Sequence, residues 1–299
     1  MEWPTIVGLA VCYVAWGLGT TWLAQIWMPL AVVVATVSAA FHSSLSHEAL
    51  HGHPTRSALL NAGLVFPALS VTVPYLRFKD THLAHHNDEI LTDPYDDPES
   101  NYLDPIRWAR LPRWKKRLLR VNNTLAGRLI LGPAIGTISF LRADLKNIRA
   151  GDRRTVYGWM LHIPAVGLVF WWMLSIGAMP IWVWACSVYF AMSLLKIRTF
   201  LEHRADRHAA GRTVIVEDRG PLSWIFLNNN FHVVHHMHPA LPWYRLPREY
   251  KQNKDHYLTR NRGYTFASYW QVFNLFLFKS KDPVPHPLWS KVCSKTNRL

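Results

Sequence analysis

Two long segments of the chain carry no charged side chain, and they predict its membrane-spanning part. Neither residues 5–46 nor residues 157–195 contain Asp, Glu, Lys or Arg. A helix crosses a bilayer with about 20 apolar residues, so each segment fits a hairpin of two crossing helices. Soluble helices seldom remain uncharged over this length. The pattern predicts an all-α integral membrane protein with four transmembrane helices, the second hairpin extending to about residue 203.

Two shorter uncharged segments are expected not to cross the membrane. Pro67 and Pro74 interrupt residues 57–76, which we interpret as a re-entrant or interfacial hairpin, because a crossing would separate the histidine clusters on its two sides. Residues 129–141 are too short to span comfortably and are expected to lie along the interface.

Positive charge is concentrated in the segments between the predicted hairpins. The net charge is +14, and seven basic residues fall between Arg107 and Arg120. Basic loops are retained on the cytosolic side and attract anionic headgroups. We therefore expect residues 47–156 and 204–299 to form a cytosolic, histidine-rich cap of one domain that comprises residues 1–299. The sequence contains no recognisable nucleic-acid module, so the charge does not indicate nucleic-acid binding.

The chemistry of the chain is carried by its histidines, 16 in all. Residues three and four apart on a helix share one face, about 5–6 Å from each other. Nine of the histidines lie at such spacings or next to a predicted helix end. They are His47, His51, His82, His85, His86, His203, His232, His235 and His236. One octahedral ion takes about six ligands, so nine imidazoles predict two metal ions with open positions. Imidazole suits iron, zinc and copper.

Other polar residues near these clusters are candidates for supporting roles. Histidine ligands usually donate their second N–H group to a carboxylate or a carbonyl, and Glu202 and Asp80 are predicted to accept such bonds. Asn228, Asn229 and Asn230, just before the third cluster, are candidates for an amide that binds or positions a metal-bound water, and Asn230 is the one selected. Cys12, Cys186 and Cys293 are scattered and predict neither a disulfide framework nor an iron–sulfur site.

These motifs resemble the membrane fatty acid desaturase superfamily, which includes hydroxylases and carotenoid ketolases. The resemblance is carried by His47-Glu-Ala-Leu-His51-Gly, His82-Leu-Ala-His85-His86, the Arg-x-x-x-Glu-His that ends at His203, Asn230-Phe-His232-Val-Val-His235-His236 and the downstream residues 239–247. It implies a non-haem di-iron centre with the nine histidines as ligands, O2 as co-substrate, and a lipid or acyl substrate that enters from the bilayer. Because the chain has no cytochrome b5 segment and no cysteine pairs, electrons should come from a separate ferredoxin-like donor with its reductase.

The resemblance leaves the reaction open. Fatty acyl desaturation is the first hypothesis. Residues 91–98 and the Asn-rich start of the third histidine cluster look closer to a bacterial branch that includes a rhizopine oxygenase, so hydroxylation, ketolation or oxidative demethylation is the alternative. The expected location is a bacterial inner membrane, with the site facing the cytosol. The basic residues 107–120 could dock an acidic ferredoxin or contact headgroups.

Two other protein classes share part of the pattern. His47-Glu48-Ala-Leu-His51 matches the zinc protease motif H-E-x-x-H, but a single zinc site would leave both H-x-x-H-H clusters without a role. A metal transporter would hold its ion near the bilayer midplane, whereas these clusters lie at predicted helix ends. Both classes are therefore less favoured than a di-iron oxidoreductase.

Overall fold

The computed structural model describes residues 1–289, and Cys293 lies outside this part. Its α-helices, in chain order, are α1 Trp3–Thr20, α2 Trp22–Ile26, α3 Met28–Leu50, α4 Ala58–Leu64, α5 Tyr75–His85, α6 Pro105–Arg110, α7 Arg113–Asn122, α8 Leu125–Arg149, α9 Arg153–Ser175, α10 Ile181–Thr199, α11 Pro221–Ile225, α12 His232–Met237, α13 Leu246–Gln252, α14 Lys254–Arg260 and α15 Tyr269–Phe276. Two short parallel strands, β1 Ile215–Val216 and β2 Thr265–Phe266, pair with Ile215 opposite Thr265.

Helix α3 is the centre of the apolar bundle, where it packs against α1 and α10. Ala31, Ala35 and Ala39 recur every four residues along α3 and are almost completely buried. Small side chains at this spacing let neighbouring helices approach closely. Larger side chains from those neighbours complete the core, such as Trp16 of α1 and Trp184 of α10. Val169 and Met173 of α9 belong to the same core, and Phe170 of α9 packs against Trp184 of α10, so both helical hairpins predicted from the uncharged segments are present.

The outer surface of the bundle is apolar. On α1, the side chains of Val7, Val11, Val14 and Leu18 form one stripe, and each is more than half exposed. A continuous apolar stripe of this length would be costly in water, whereas in a bilayer it faces lipid. The exposed surface thus agrees with a membrane-embedded hairpin.

Four transmembrane helices were predicted, whereas the described residues contain five helices that are long and apolar enough to cross a membrane. The additional helix is α8. Its uncharged centre suggested a short segment, but the Thr124 Oγ1 atom caps the helix by accepting from the Gly127 amide at 3.0 Å. The helix then continues past its apolar centre to Arg149. Helix length follows the capping residues rather than the extent of the uncharged run.

The contacts of α8 nevertheless favour a position along the membrane surface. At its beginning, Leu125 packs with Phe200 and Leu201, just before His203. Towards its end, Asp144 forms an ion pair with Arg77 on α5, the helix that carries the second histidine cluster. A crossing helix would have its ends on opposite sides of the membrane, whereas both ends of α8 lie near histidine-bearing elements.

Residues 57–76 do not form a long helix, in agreement with their prolines. Helix α4 ends at Leu64, and the irregular chain after it enters the bundle, where Val65 and Leu69 are buried. The backbone oxygen of Val71 lies 3.1 Å from the Nε2 atom of His162 on α9. This segment therefore returns to the side from which it came, and His51 and His82 remain at the same end of the bundle.

The chain after α10 folds over that end. Strand β1 and helices α12, α13 and α14 form a small core that includes Ile215, Phe231, Val234 and Tyr257, and α11, β2 and α15 pack on a second core that includes Phe226 and Tyr269. The placement of this part of the chain in the cytosol remains a prediction. The assignment of residues 1–299 to one domain also remains a prediction.

Candidate metal centre

The first two histidines are placed by the end of α3. His47 lies in the last turn, and His51 caps the helix. The next residue, Gly52, has φ +97° and reverses the chain. Glycine adopts this left-handed conformation without the steric cost that a side chain would bring. The glycine after the first cluster therefore ends the helix at the point where both rings face the site.

The remaining histidines come from α5, α12 and the chain that follows α10. His82, His85 and His86 form the last turn and cap of α5. His232, His235 and His236 lie on α12, a helix of six residues. Leu227 and Asn228 precede it with φ +51° and +55°, and this left-handed turn directs α12 towards α5. His203 follows α10 after a short irregular segment.

The nine histidines meet as two neighbouring clusters. The larger contains five rings, His47, His51, His82, His86 and His235, and the smaller contains four, His85, His203, His232 and His236. In each cluster the nitrogen atoms that can act as ligands lie within 4.8 Å of one another. Each H-x-x-H-H motif divides its adjacent pair of histidines between the two clusters.

The Nε2 atoms point inward in both clusters. The Nε2 atom of His82 is 2.8 Å from that of His47 and 3.0 Å from that of His86. In the smaller cluster, the Nε2 atom of His203 is 2.8 Å from that of His85 and 3.2 Å from that of His232. Two rings, one from each cluster, stack at the boundary, since His86 and His236 have centroids 4.3 Å apart.

The outward Nδ1 atoms are held by oxygen acceptors. His85 Nδ1 donates to Asp97 Oδ1 at 2.7 Å, and His82 Nδ1 donates to Glu99 Oε1 at 2.9 Å. The same role is taken by Asn229 Oδ1 for His232, at 2.9 Å, and by Asp88 Oδ1 for His236, at 3.2 Å. A proton fixed on Nδ1 leaves the Nε2 lone pair free to face the centre.

This donor set fits metal ions. Several Nε2 lone pairs converge on each cluster, and they repel one another unless a cation lies between them. The Nε2 atoms of His51 and His236 are buried and have no hydrogen-bond partner within the described residues. Buried polar atoms of this kind are rarely left unsatisfied. The arrangement of the rings, rather than their number alone, therefore indicates two metal sites.

The protonation equilibria agree with this interpretation. Burial, reinforced by neighbouring imidazoles, lowers the pKa of His51 to about 2 and that of His236 to about 4. The same causes hold the pKa of His235 well below its ordinary value. His85 is the exception: burial opposes its charge, but Glu99 and then Asp97 outweigh burial and raise its pKa to about 9. Neutral imidazole is the form that binds metal, and the carboxylates that stabilise a proton on His85 would equally stabilise a cation.

The three residues predicted to support the ligands occupy different environments. Glu202 lies beside the smaller cluster, with Oε1 3.9 Å from His232 Nδ1 and 2.8 Å from Arg198 Nε. Asp80 forms ion pairs with Arg154 and Arg77 instead of contacting a ring. Asn230 donates through Nδ2 to the backbone oxygens of Val216 and Asp218, so it fastens the chain before α12. The contacts of Asp80 and Asn230 thus do not support the predicted roles.

Sequence reasoning missed Asp97 and Glu99 as supporting residues. They lie 12 and 17 residues from the rings that they contact, and helical spacing gives no signal at that separation. For Asp97, the available signal is its position in the turn-rich acidic segment 91–98. Asn229, rather than its neighbour Asn230, provides the amide at the site.

A small polar cavity of about 50 Å³ adjoins the smaller cluster, lined by His203, Thr199, Glu202, Lys281 and Asp282 among others. The Nδ1 atom of His203 and the Oγ1 atom of Thr199 are buried without a hydrogen-bond partner in the described part of the chain. A cavity of this size with several polar partners can hold water. Solvent can thus satisfy the groups on this side of the cluster.

Comparison with known proteins places the chain among membrane oxidoreductases. Residues 5–268 match the sequence model of the family described as "Fatty acid desaturase". The β-carotene ketolase of Paracoccus sp. (strain N81106 / MBIC 01143) is 28% identical over 219 residues, which cover 68% of this chain and 71% of the ketolase. The β-carotene ketolase of Paracoccus sp. (strain PC1) is 27% identical over 225 residues, 69% of this chain and 72% of that protein.

Proposed function

The chain belongs to the fatty acid desaturase family, and from this premise we propose that it is an O2-dependent di-iron membrane oxygenase that oxidises an unactivated C–H bond of an apolar, lipid-like substrate. The family is one of integral membrane oxidoreductases. The observation that carries the proposal is the division of nine histidines into two adjacent clusters whose Nε2 atoms converge. Two clusters of this kind suit a pair of metal ions that work together on one small molecule.

In this proposal the five-histidine cluster holds one iron ion and the four-histidine cluster holds the other. The irons, when bound, supply the redox capacity to activate O2. The protein residues fix the ligands: Asp97, Glu99, Asp88 and Asn229 hold the Nδ1 protons and keep each Nε2 lone pair aimed inward. Loss of such a supporting contact typically weakens metal binding 10- to 100-fold.

Oxygen insertion is the reaction that we place first. Both relatives described above are β-carotene ketolases, and introducing a keto group requires oxygen to enter a C–H bond. Their substrate is a long apolar molecule, which is consistent with a site at the end of an apolar helical bundle. Acyl desaturation, the reaction in the family's description, is the second candidate. Both reactions use the same donor set.

The zinc protease alternative loses support from the surroundings of Glu48. A protease would need this carboxylate free to act on a zinc-bound water. Instead, Glu48 is buried, its Oε2 atom accepts from the Trp243 amide at 3.2 Å, and its Oε1 atom is 4.0 Å from His47 Nδ1. We therefore assign Glu48 to joining the end of α3 to the chain after α12.

We place the site on the cytosolic face of a bacterial inner membrane, with reducing equivalents supplied by a separate protein.

The test combines metal analysis with product analysis. Purified protein should contain two irons per chain, and one zinc would support the protease. Expression with a ferredoxin and its reductase in cells that contain carotenoids and acyl lipids, followed by mass spectrometry, separates the reactions. A keto group adds one oxygen and removes two hydrogens, a hydroxyl adds one oxygen, and desaturation removes two hydrogens alone. Iron-loaded protein that consumes no O2 with any reductant would overturn the proposal.

A further inference from the structure

An open surface groove lies near the four-histidine cluster. It is lined by Ala210, Asp255, His256, Thr259 and Arg260, so that most of its wall comes from α14. The approach to it along residues 251–256 is exposed and entirely polar or charged. A polar surface of this kind faces water rather than lipid, which makes it accessible to a soluble partner.

Two hydrogen bonds join this groove to the proposed metal ligands. Arg260 Nη2 in the groove wall is 3.0 Å from Asp88 Oδ2, and Asp88 Oδ1 is 3.2 Å from His236 Nδ1. The His236 ring belongs to the four-histidine cluster. Electron transfer weakens steeply with distance and with each through-space gap. A route without a gap wider than a hydrogen bond is therefore a favourable path from the surface to that cluster.

The surface around the groove carries an excess of positive charge. Residues 245–262 contain six Lys or Arg residues and two Asp or Glu residues. Lys254, Arg260 and Arg262 form ion pairs with Glu217, Asp88 and Asp206, and the other basic residues, Arg245, Arg248 and Lys251, are exposed. Exposed Arg207 precedes Ala210 by three residues, and the side chain of Arg262 is 51% exposed. A positive surface attracts an acidic partner and speeds its association.

The other basic surface, on α7, has a different character. Trp114, Leu118 and Val121 are exposed at i, i+4 and i+7 between its basic residues. An amphipathic helix that combines basic and exposed apolar residues suits a membrane interface. The basic residues of α7 are thus explained by contact with lipid headgroups. The groove beside α14, in contrast, is charged and has no apolar face.

We propose that the α14 groove is the docking surface for an acidic, soluble one-electron carrier protein, and that Arg260, Asp88 and His236 form the route by which its electrons reach the metals. This inference rests on the proposed function, because an oxygenase needs a reductant. Each insertion follows R–H + O2 + 2 e⁻ + 2 H⁺ → R–OH + H2O, so two reduced carriers are oxidised per turnover. The carrier must leave between electrons, which fits a small interface, under about 1,200 Å² in typical redox pairs.

Cross-linking tests the docking site without relying on activity. The probe is a plant-type [2Fe–2S] ferredoxin mixed at low salt with the full chain in lipid nanodiscs. A carbodiimide joins lysines directly to carboxylates, and mass spectrometry identifies the lysines. We expect links at Lys251 and Lys254, beside the groove, and their loss at high salt. Links at Lys115 and Lys116 of α7 instead, or no specific link, would overturn the docking proposal.

Matched charge reversals provide the second measurement. Arg207→Glu combined with Lys251→Glu is expected to weaken ferredoxin binding about tenfold or more, with unchanged iron content and unchanged turnover by a small chemical reductant. The control, Lys115→Glu with Lys116→Glu, should leave ferredoxin binding intact. Equal loss in both variants, or none in the first, contradicts the assignment. If the wild-type chain binds ferredoxin at the groove but forms no product with either reductant, the proposed function fails while the docking site stands.

A separate variant tests the electron-transfer route from the groove to His236. Arg260→Gln removes the link between the groove and Asp88. With iron content verified in the same sample, it should slow reduction of the bound iron by pre-bound ferredoxin in a single-turnover measurement. Reduction at the wild-type rate would contradict the route.

Discussion

The Nδ1 atom of His85 lies 2.7 Å from the Oδ1 atom of Asp97, and both side chains are almost completely buried. The second oxygen of Asp97 accepts from the Thr92 amide at 2.8 Å, and Thr92 has φ +70°. The loop that follows α5 is thus folded back onto the last turn of the same helix. One carboxylate shapes the loop and orients a ring of the four-histidine cluster.

Asp97→Asn should impair metal binding while the chain still folds. An amide keeps the size of the side chain but removes the charge that favours a cation at His85. We expect iron affinity to fall 10- to 100-fold, as for comparable supporting residues, measured by metal analysis after dialysis against a graded chelator. Asp96→Asn, an exposed neighbour with the same chemical change, is the matched control. Equal iron retention by the two variants would show that Asp97 does not support the site.

His235→Ala and His236→Ala should each abolish turnover, although the two residues belong to different clusters. Removing one ring opens one site, and both metals are needed for the chemistry. Iron content should fall in each variant, and the double variant should be no less active than either single one, because groups that act as a unit are not additive. Exposed His238→Ala is the control and should retain both iron and activity. Wild-type turnover in the His235 variant would exclude that residue as a ligand.

Gly52→Ala should destabilise the fold next to the first cluster. A Cβ atom at Gly52 would meet no heavy atom within 4 Å, so the cost is conformational and comes from φ +97°. A side chain in the left-handed region costs about 1–2 kcal/mol, which a fall in the thermal midpoint of tryptophan fluorescence can detect.

Gly63→Ala is the control for this change. The space around Gly63 is equally open, but the residue lies inside α4. Alanine is favoured within helices, so stability there should stay level or rise. A similar loss of stability in both variants would rule out the conformational explanation for Gly52.

Removing one partner of the buried ion pair between Arg77 and Asp144 should lower the stability of the fold strongly. Arg77 donates to both carboxylate oxygens, at 2.9–3.2 Å, and Trp159 donates to one of them at 2.9 Å. Asp144→Ala leaves the buried Arg77 guanidinium with only the longer contact to Asp80, at 3.9 Å, and breaking a buried ion pair in this way costs roughly 3–5 kcal/mol. Adding Arg77→Met should recover part of the loss. If unfolding in denaturant finds the double variant less stable than Asp144→Ala, the unpaired charge was not the cause.

The sequence by itself determined the type of fold and which histidines meet. Uncharged stretches as long as residues 5–46 have a low free energy only in a bilayer, and the 3.6-residue period of a helix turns H-x-x-H-H into a set of rings on one face. Both patterns involve residues that are close together in the sequence, so they can be recognised from the sequence alone. They predicted the hairpins and all nine histidines that meet in the structure.

Tertiary structure decided how those rings are divided and what holds them. The separation into five and four histidines depends on how α3, α5 and α12 meet, and no spacing within one helix records it. Asp97 and Glu99 reach their rings because a loop folds back, while Asp80, which is closer to His82 in sequence, turns to Arg154. Hydrogen bonds depend on position in space, and a chain that folds back makes sequence distance a poor guide to it. The length of α8 was missed for a related reason, since its ends are set by capping and by contacts with α5 and the chain after α10.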